Sequence, residues 1–545
     1  MSLTSFPPGA PPATDVTSQK IIINGQELSG EILLAEITIN KSFNKVSFAK
    51  LVFQDGSASD RDFELSNDDK FKPGSEIEIQ LGYHGEVETV FEGIIVKHSI
   101  KIRENKSILL IEAKDKAIKL TTTRRSAYHI NKTDGEIIES LAGDLPIEVE
   151  STATTHAQVV QFNTSDWDFM VTRAEANSMF VFTDDNHIIV KKPSTTPTPV
   201  LVATYGGNML EFDAEMDARK QVQKIKSISW DYASQDIERS EEGTAVFSEA
   251  GNISVGDLGE VLGTHIELNH TGRLSQEQLQ NWSDAYAMRN YLSKASGRVR
   301  VEGNSAVKPG TMITLDGVGD RFNGDVFVTG VLHHYGGSWQ TDIQFGWREE
   351  WFYKKEDVMD KPASGLLPGI NGLQIGIVKD VVDQEQGGQY RVKVHVPTIT
   401  SGNEGIWARV ATLDAGSERG IYFRPEEEDE VVLGFLNDDP REAIVLGYLH
   451  SKDSKKSPLP IDDGTLQFGF VTKEGIRLIF DDTNKRLTLR VPSGTGEKSI
   501  ILNNQGGSLE MTDENQNTIK MDSSGITIEA GSGNVTIKGR QVLIN

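Results

Sequence analysis

The chain has 545 residues, a formal charge of −25, 37% apolar residues and no cysteine. That length exceeds what one core supports and requires several domains. The charge disfavours nucleic acid or an anionic membrane surface as a partner, because each would repel it, and the missing cysteine rules out disulfides and thiolate metal sites.

The first stretch, MSLTSFPPGAPPATDVTSQK, has no basic segment followed by an apolar one and so does not read as a signal peptide. No run reaches the roughly 18 apolar residues of a membrane-spanning helix. Synthesis in the cytoplasm is expected. Residues 1–19 are expected to be a flexible, Pro-rich arm.

Residues 20–365 alternate between strand and helix signals. IIINGQEL carries the turn pair Asn24-Gly25 and predicts a hairpin. EILLAEITIN, KVSFAKLVFQDG, EIEIQLGYHG, ETVFEGIIVKHSIKI and SILLIEAKDK follow as strands, together a small barrel. Helices are expected over 133–142 and 165–176, the second opened by Ser165 with Asp168 three positions on. Strands return at HIIVKK, PVLVATY and KIKSISWDY. A long helix is expected over 274–295, with Ser275 and Gln278 as a capping box and Gly297 beyond its end. RVRVEG, TMITLDG, DVFVTGVLHHY and WQTDIQFGW then predict a second small barrel.

A Gly- and Pro-bearing stretch, ASGLLPGINGL, separates this region from residues 373–450. There IGIVKDVVD, QYRVKVHVP, WARVATL, GIYFRP, DEVVLGFL and AIVLGYL have the rhythm of a five-stranded OB-fold barrel. Residues 451–465 read as a linker.

Residues 466–545 form a ladder of very short strands, with Ile476/Leu478/Phe480, Leu487/Leu489/Val491, Ile500/Leu502, Leu509/Met511, Ile519/Met521, Ile526/Ile528, Val535/Ile537 and Val542/Ile544 as apolar rungs. Turns rich in Gly, Asn, Asp and Ser separate them. Two or three apolar residues per strand, at about 25 cal/mol per Å², hardly offset a chain entropy of about 1–2 kcal/mol per residue. Three copies wound around one axis would share a core, so the ladder is expected to be one third of an intertwined trimeric β-helix or β-prism needle. The fold class expected is therefore mainly β and multidomain: two small barrels with helical insertions, an OB-fold barrel and the needle.

The third block closely resembles the OB-fold domain of VgrG-type and phage baseplate spike proteins. The resemblance is carried by Trp407, Arg409, Gly420, Phe423, Pro425, Gly434, Asp439, Pro440 and Gly447. FKPGSEIEIQLGY, FEGIIVKHSI and IEAKDKAIKLT are similar to the hub placed ahead of that domain in the same family. The resemblance implies a homotrimeric spike of a contractile injection system whose hub mates with an inner-tube protein ring and baseplate proteins. It also implies a tip completed by a separate PAAR-repeat protein, and residence in a phage tail-like particle, with release by lysis where the particle is extracellular. Three blunt apolar ends would expose a patch, so Val542, Leu543, Ile544 and Asn545 are the expected seat for that tip protein. The His-x-His iron site of some phage spikes has no counterpart in these last residues.

Neither catalytic residues nor a metal or other cofactor is expected. HExxH, G-x-S-x-G and G-x-x-x-x-G-K-[ST] are missing from the sequence. His333 and His334 are neighbours in a predicted strand and face opposite ways. His265 and His270 with Glu267, the acidic run 426–430 and the pair Asp513/Glu514 read more simply as surface and turn residues. A rival reading, a glycan-binding or glycan-cleaving tail fibre, would need exposed aromatics or carboxylate pairs along the ladder, where Phe480 stands alone from the rung 476–480 onward.

Overall fold

A computed structural model describes residues 16–544 except 105, 195–197, 232, 246–248, 348–349, 356–357, 359, 384–389, 403, 452–455, 461–463 and 465. Positions 1–15 of the expected arm, much of the expected linker and Asn545 therefore lie outside the described residues. The protein is mainly β and falls into two units, Met1–Asp360 and Lys361–Asn545.

The first unit is organised around a sheet of 13 strands among the described residues. Its first half contains β1 (Thr17–Ile23), β2 (Leu34–Ser42), β3 (Phe48–Gln54), β4 (Glu76–Tyr83), β5 (Glu86–Arg103) and β6 (Lys106–Lys114). Asn24 and Gly25, both at positive φ, close the expected hairpin after β1. The arm ends earlier than expected: Thr17, Ser18 and Gln19 are already paired with Tyr83, Gly82 and Leu81 of β4, whose ladder satisfies their backbone groups. Alternate residues point inward, so Ile37, Ile39, Leu51, Phe53, Ile79, Leu109 and Ile111 share one dry core.

Two helices, α1 (Asp134–Leu141) and α2 (Asp166–Ala176), follow. Thr133 and Glu136 form a reciprocal capping box on α1. Ser165 caps α2 by accepting from the Asp168 backbone N–H, while its hydroxyl donates to the Asp168 carboxylate. Ile138, Leu141, Met170, Val171 and Val181 build a second core between the helices and the hairpin 180–191. Phe43 at the end of β2 stacks on Phe180, centroids 4.5 Å apart, and joins that hairpin to the sheet.

The second half of the sheet contains β7 (Met209–Met216), β8 (Ala295–Glu302), β9 (Gly324–Tyr335) and β10 (Trp339–Phe345), around Val299, Val301, Val331, Ile343 and Phe345. The two expected barrels are thus two curved halves with separate cores, joined where β9 pairs with β2 from Gly330↔Ser42 to Tyr335↔Ile37. Ahead of β8 lies the long helix α3 (Gln276–Leu292), capped by Ser275 and Gln278 as expected. Gly297 does not stop it. It lies inside β8, where a Cβ would come 2.1 Å from the Asp213 carbonyl, so close strand approach explains the residue.

Glu175 of α2 connects the layers. Its buried carboxylate accepts from Asn44 Nδ2, Arg289 Nη1 of α3 and the Phe352 backbone N–H, each at 2.8 Å.

In the second unit a closed five-stranded barrel is formed by β11 (Gln374–Asp380), β12 (Arg391–His395), β13 (Ile406–Val410), β14 (Glu430–Phe435) and β15 (Ala443–Tyr448), in the order β11-β12-β13-β15-β14. GIYFRP, one of six strand candidates, contributes no barrel strand: Ile421 to Glu426 run as loop. A seven-stranded antiparallel meander follows: β16 (Gln467–Val471), β17 (Arg477–Asp481), β18 (Arg486–Ser493), β19 (Gly496–Asn503), β20 (Ser508–Thr512), β21 (Thr518–Asp522) and β22 (Gly525–Glu529). Val535/Ile537 and Val542/Ile544, expected as the last two rungs, lie in no strand. With one neighbour at most, such short rungs bury too little to offset ordering costs of about 1–2 kcal/mol per residue.

Candidate functional site

The register of the meander decides what its side chains do. Phe468, Phe480, Leu487, Leu502, Leu509, Met521 and Ile526 stand opposite one another across successive strands. Phe470, Leu478, Leu489, Ile500, Met511, Ile519 and Ile528 form a second such row. Because strand side chains alternate between faces, both rows lie on one face. The other face carries mostly polar residues, Arg477, Arg490, Glu510, Lys520 and Thr527, with Ile479 and Ile501 on either side of Thr488 among them.

Among the described residues no second layer of strands or helices covers this apolar face within one chain. Phe468, Phe470, Phe480, Leu489, Leu502, Met511, Ile519, Met521, Ile526 and Ile528 are 38–68% exposed. Covering a half-exposed side chain of this size is worth roughly 1 kcal/mol, so the face offers on the order of 10 kcal/mol per chain. A contiguous strip of this kind marks an interaction surface.

Turns fix the register. Asp481 is buried at the β17–β18 turn and accepts from the Asn484 backbone and side chain at 2.8 and 3.0 Å and from Gln467 Nε2 at 2.9 Å. Those bonds, Asn484 foremost, hold its carboxyl below the usual range. Asp522 is held at about 2 by Ser524 in the same way. Asp513 binds Asn515 and Asn517, and Glu514 binds Lys498. These carboxylates, like Glu426 and Glu428 paired with Lys473 and Lys379, hold turns and strands in place.

The apolar rungs expected from the sequence start at Ile476, so β16 with Phe468 and Phe470 lies within the expected bounds 466–545 but is not among those rungs. QFGFV alternates as a strand should, but Gly469 interrupts it. A Cβ at Gly469 would lie 2.1 Å from the Leu478 carbonyl, so the pairing with β17 requires the glycine.

The OB motif residues are not gathered into one site. Trp407 lies under the Arg391 guanidinium, 5.9 Å from its ring centroid, and Arg409 is opposite Arg391 in the ladder. Gly420 has φ +145, and a Cβ there would meet the Asp414 carbonyl at 2.4 Å. Pro425 is buried, and a Cβ at Gly434 would come within 3.1 Å of Leu446. Asp439, ahead of Pro440, accepts from Arg441 Nε and Nη2 at 3.0 and 2.6 Å, which holds its carboxyl at about 2. Nothing in the structure requires a glycine at 447. Phe423 differs from the rest: it is exposed, and its ring stacks on Phe470 with centroids 5.5 Å apart.

At the chain's end, Val542, Leu543 and Ile544 are 49%, 78% and 90% exposed. His333 is buried against Thr341 while His334 faces out toward Glu36, opposite directions as expected. His265 bonds Gln223 and His270 bonds the Gly272 backbone.

Residues 13–336 match the Alg8 N-terminal domain, 374–450 the type VI secretion system/phage-baseplate injector OB domain, and 467–545 the phage baseplate V C-terminal trimerisation domain. The chain belongs to the Alg8 N-terminal domain family and is a VgrG-like spike protein. This spike chain is 40% identical to the type VI secretion system spike protein VgrG3 of Vibrio cholerae over 75 residues, 13% of its own length and 7% of VgrG3. It is 33% identical to the actin cross-linking toxin VgrG1 of the same species over 103 residues, 17% of its length and 9% of the relative. It therefore aligns with less than a tenth of either protein. A tail protein of Neisseria meningitidis is similar at TM-score 0.47 and 12% identity, over 62% of the spike chain and 98% of that protein. An Escherichia coli type VI secretion component is similar at TM-score 0.41 and 14% identity, over 79% and 100%. A Francisella PdpA–VgrG complex is similar at TM-score 0.41 and 11% identity, over 95% and 81%.

Proposed function

We propose that this chain is the homotrimeric central spike of a contractile injection system, capping the inner tube with its hub and puncturing the target envelope by mechanical force. The observation that carries the proposal is the needle's two unbroken apolar rows, which one chain leaves uncovered and a trimerisation domain would cover. In this reading residues 20–365 are the hub and 373–450 the OB domain, with 451–465 linking it to the needle at 466–545. Three faces turned inward form one prism whose polar faces meet solvent. The action is mechanical and needs no catalytic residue: a narrow prism concentrates load, and dense strand pairing resists unfolding.

The partners are an inner-tube ring and baseplate proteins at the hub and a PAAR-repeat protein at the tip. Val542, Leu543, Ile544 and Asn545 from three chains form the tip protein's seat. The spike works inside a phage tail-like particle assembled from cytoplasmic components. Light-scattering mass of the purified full chain tests the core of this reading: three times 60.0 kDa is expected, and a stable 60.0 kDa species overturns it. Removing the last four residues should leave the trimer intact and abolish capture of the tip protein. Unchanged capture would sink the seat.

A further inference from the structure

The loop between β13 and β14 of the OB barrel is braced, yet it holds apolar side chains out to solvent. Arg419 Nη1 donates to both Asp414 oxygens at 2.7 and 2.6 Å, the Ile421 N–H donates to the Asp414 carbonyl at 2.9 Å, and Thr412 Oγ1 donates to the Ile421 carbonyl at 2.5 Å. Gly420, at φ +145, makes the close return past Asp414 that any Cβ would block. The scaffold presents Leu413, Tyr422 and Phe423 at 90%, 71% and 57% exposure. Fixing such side chains in one chain costs conformational entropy and returns little burial, so the return must come from elsewhere.

The direction is given by Phe423. Its ring lies parallel to that of Phe470, 11° between planes, and Phe470 heads one of the needle's two apolar rows. Glu426 at the loop's end reaches Lys473 at 2.8 Å. The loop therefore reaches the apolar side of the meander through Phe423 on Phe470, and the exposed Tyr422 and Leu413 belong to the same braced turn.

We propose that the OB loop 411–425 is part of the seam between copies, with Leu413 and Tyr422 seated against a neighbouring chain, so that barrel and needle carry load as one body. The inference rests on the homotrimer reading, and its test separates the two. The chain has no cysteine, so single cysteines report one position each. In the full-length protein, with mass measured first, Leu413→Cys is compared with Glu442→Cys, an exposed position on the β14–β15 turn. Maleimide labelling at 413 is expected to be about ten-fold slower or more than at 442. A photo-crosslinking amino acid at Tyr422 should yield a two-chain product. Equal labelling rates, or crosslinks only within a chain, in a protein whose mass is trimeric overturn the loop proposal alone. A monomeric mass overturns the trimer reading and the loop proposal with it.

Discussion

In the OB barrel Val378, Val394, Ala408, Leu433 and Val445 are wholly buried, whereas in the needle ten of the fourteen residues of the two apolar rows are 38–68% exposed and the other four, Leu478, Leu487, Ile500 and Leu509, are half-buried. Both regions are made of short strands with apolar residues at every second position, all antiparallel in the needle and antiparallel in the barrel except for the parallel pair β13–β15. The difference is closure. The barrel returns to itself when β14 pairs with β11 and β13 with β15, so its inner face is sealed by its own chain. The meander runs from β16 to β22 without such a return, and its inner face stays open. Period-2 patterning therefore specifies strands in both places, and connectivity decides whether a strand set is a domain or part of one.

The strongest test of that difference places a charge on the open face. Ile500 lies opposite Leu489 and Met511 in the middle of one row. Ile500→Asp would bury three carboxylates at one level of a trimer, a cost of several kcal/mol per chain. Light scattering should then report 60.0 kDa chains instead of an assembly, while Thr527→Asp on the polar face leaves the mass unchanged. A trimeric Ile500→Asp protein would show that this face is not the interface.

A core truncation in the closed region has a different signature. Leu433→Ala removes a fully buried barrel side chain and should cost about 2–5 kcal/mol. Because the barrel's core is completed within one chain, its local melting should not depend on protein concentration. Needle melting should shift with concentration, as expected of linked association. Thermal melts over a hundred-fold dilution series distinguish the two. Equal concentration dependence for both transitions would contradict the contrast drawn here.

Much of this architecture was legible in the chain. The Asn24-Gly25 turn, the Ser275 and Gln278 cap and the alternation of β11 to β15 each express a local rule, and local rules can be read residue by residue. What failed depended on distant neighbours. Gly297 looked like a helix stop, but Asp213, more than eighty residues away, dictates it through strand contact. Phe468 and Phe470 were overlooked because Gly469 breaks their run, and its reason is the Leu478 carbonyl on the next strand. Val535 and Ile537 alternate like a strand yet lie in no strand among the described residues. The apolar rows could be anticipated as alternation, while their alignment on one face needed the register.

Acid separates the first unit, read here as the hub, from the needle more gently. Burial, with Lys41 and Lys308 nearby, pushes His333 down to about 3 from its ordinary 6.5. The unfolded chain therefore takes up a proton near 6.5 that the folded hub refuses until about 3. Stability falls as pH drops through that window, with a slope of at most about 1.4 kcal/mol per pH unit. The needle contains no histidine and should be insensitive from pH 6.5 down to about 5, below which the stability contributed by its held-down carboxylates, Asp481 and Asp522 among them, starts to be lost. His333→Asn is expected to flatten the hub's slope, whatever it does to stability at pH 7. Chemical denaturation at several pH values measures this, and an unaltered slope would assign the acid response to other groups.

The smallest effect is expected where barrel and needle touch within one chain. Lys473 and Glu426 form a 2.8 Å ion pair with both side chains largely in solvent. Exposed pairs of this kind contribute little and weaken with salt, whereas the adjacent Phe423–Phe470 stack is worth about 0.5–1.5 kcal/mol beyond its burial. Lys473→Ala should therefore change unfolding by less than Phe423→Ala does, and the lysine effect should vanish by about 1 M salt, where the screening length is about 3 Å. If the lysine substitution instead proved the costlier of the two and resisted salt, the connection between the closed barrel and the open needle would be electrostatic, and the apolar strip would end at Phe470.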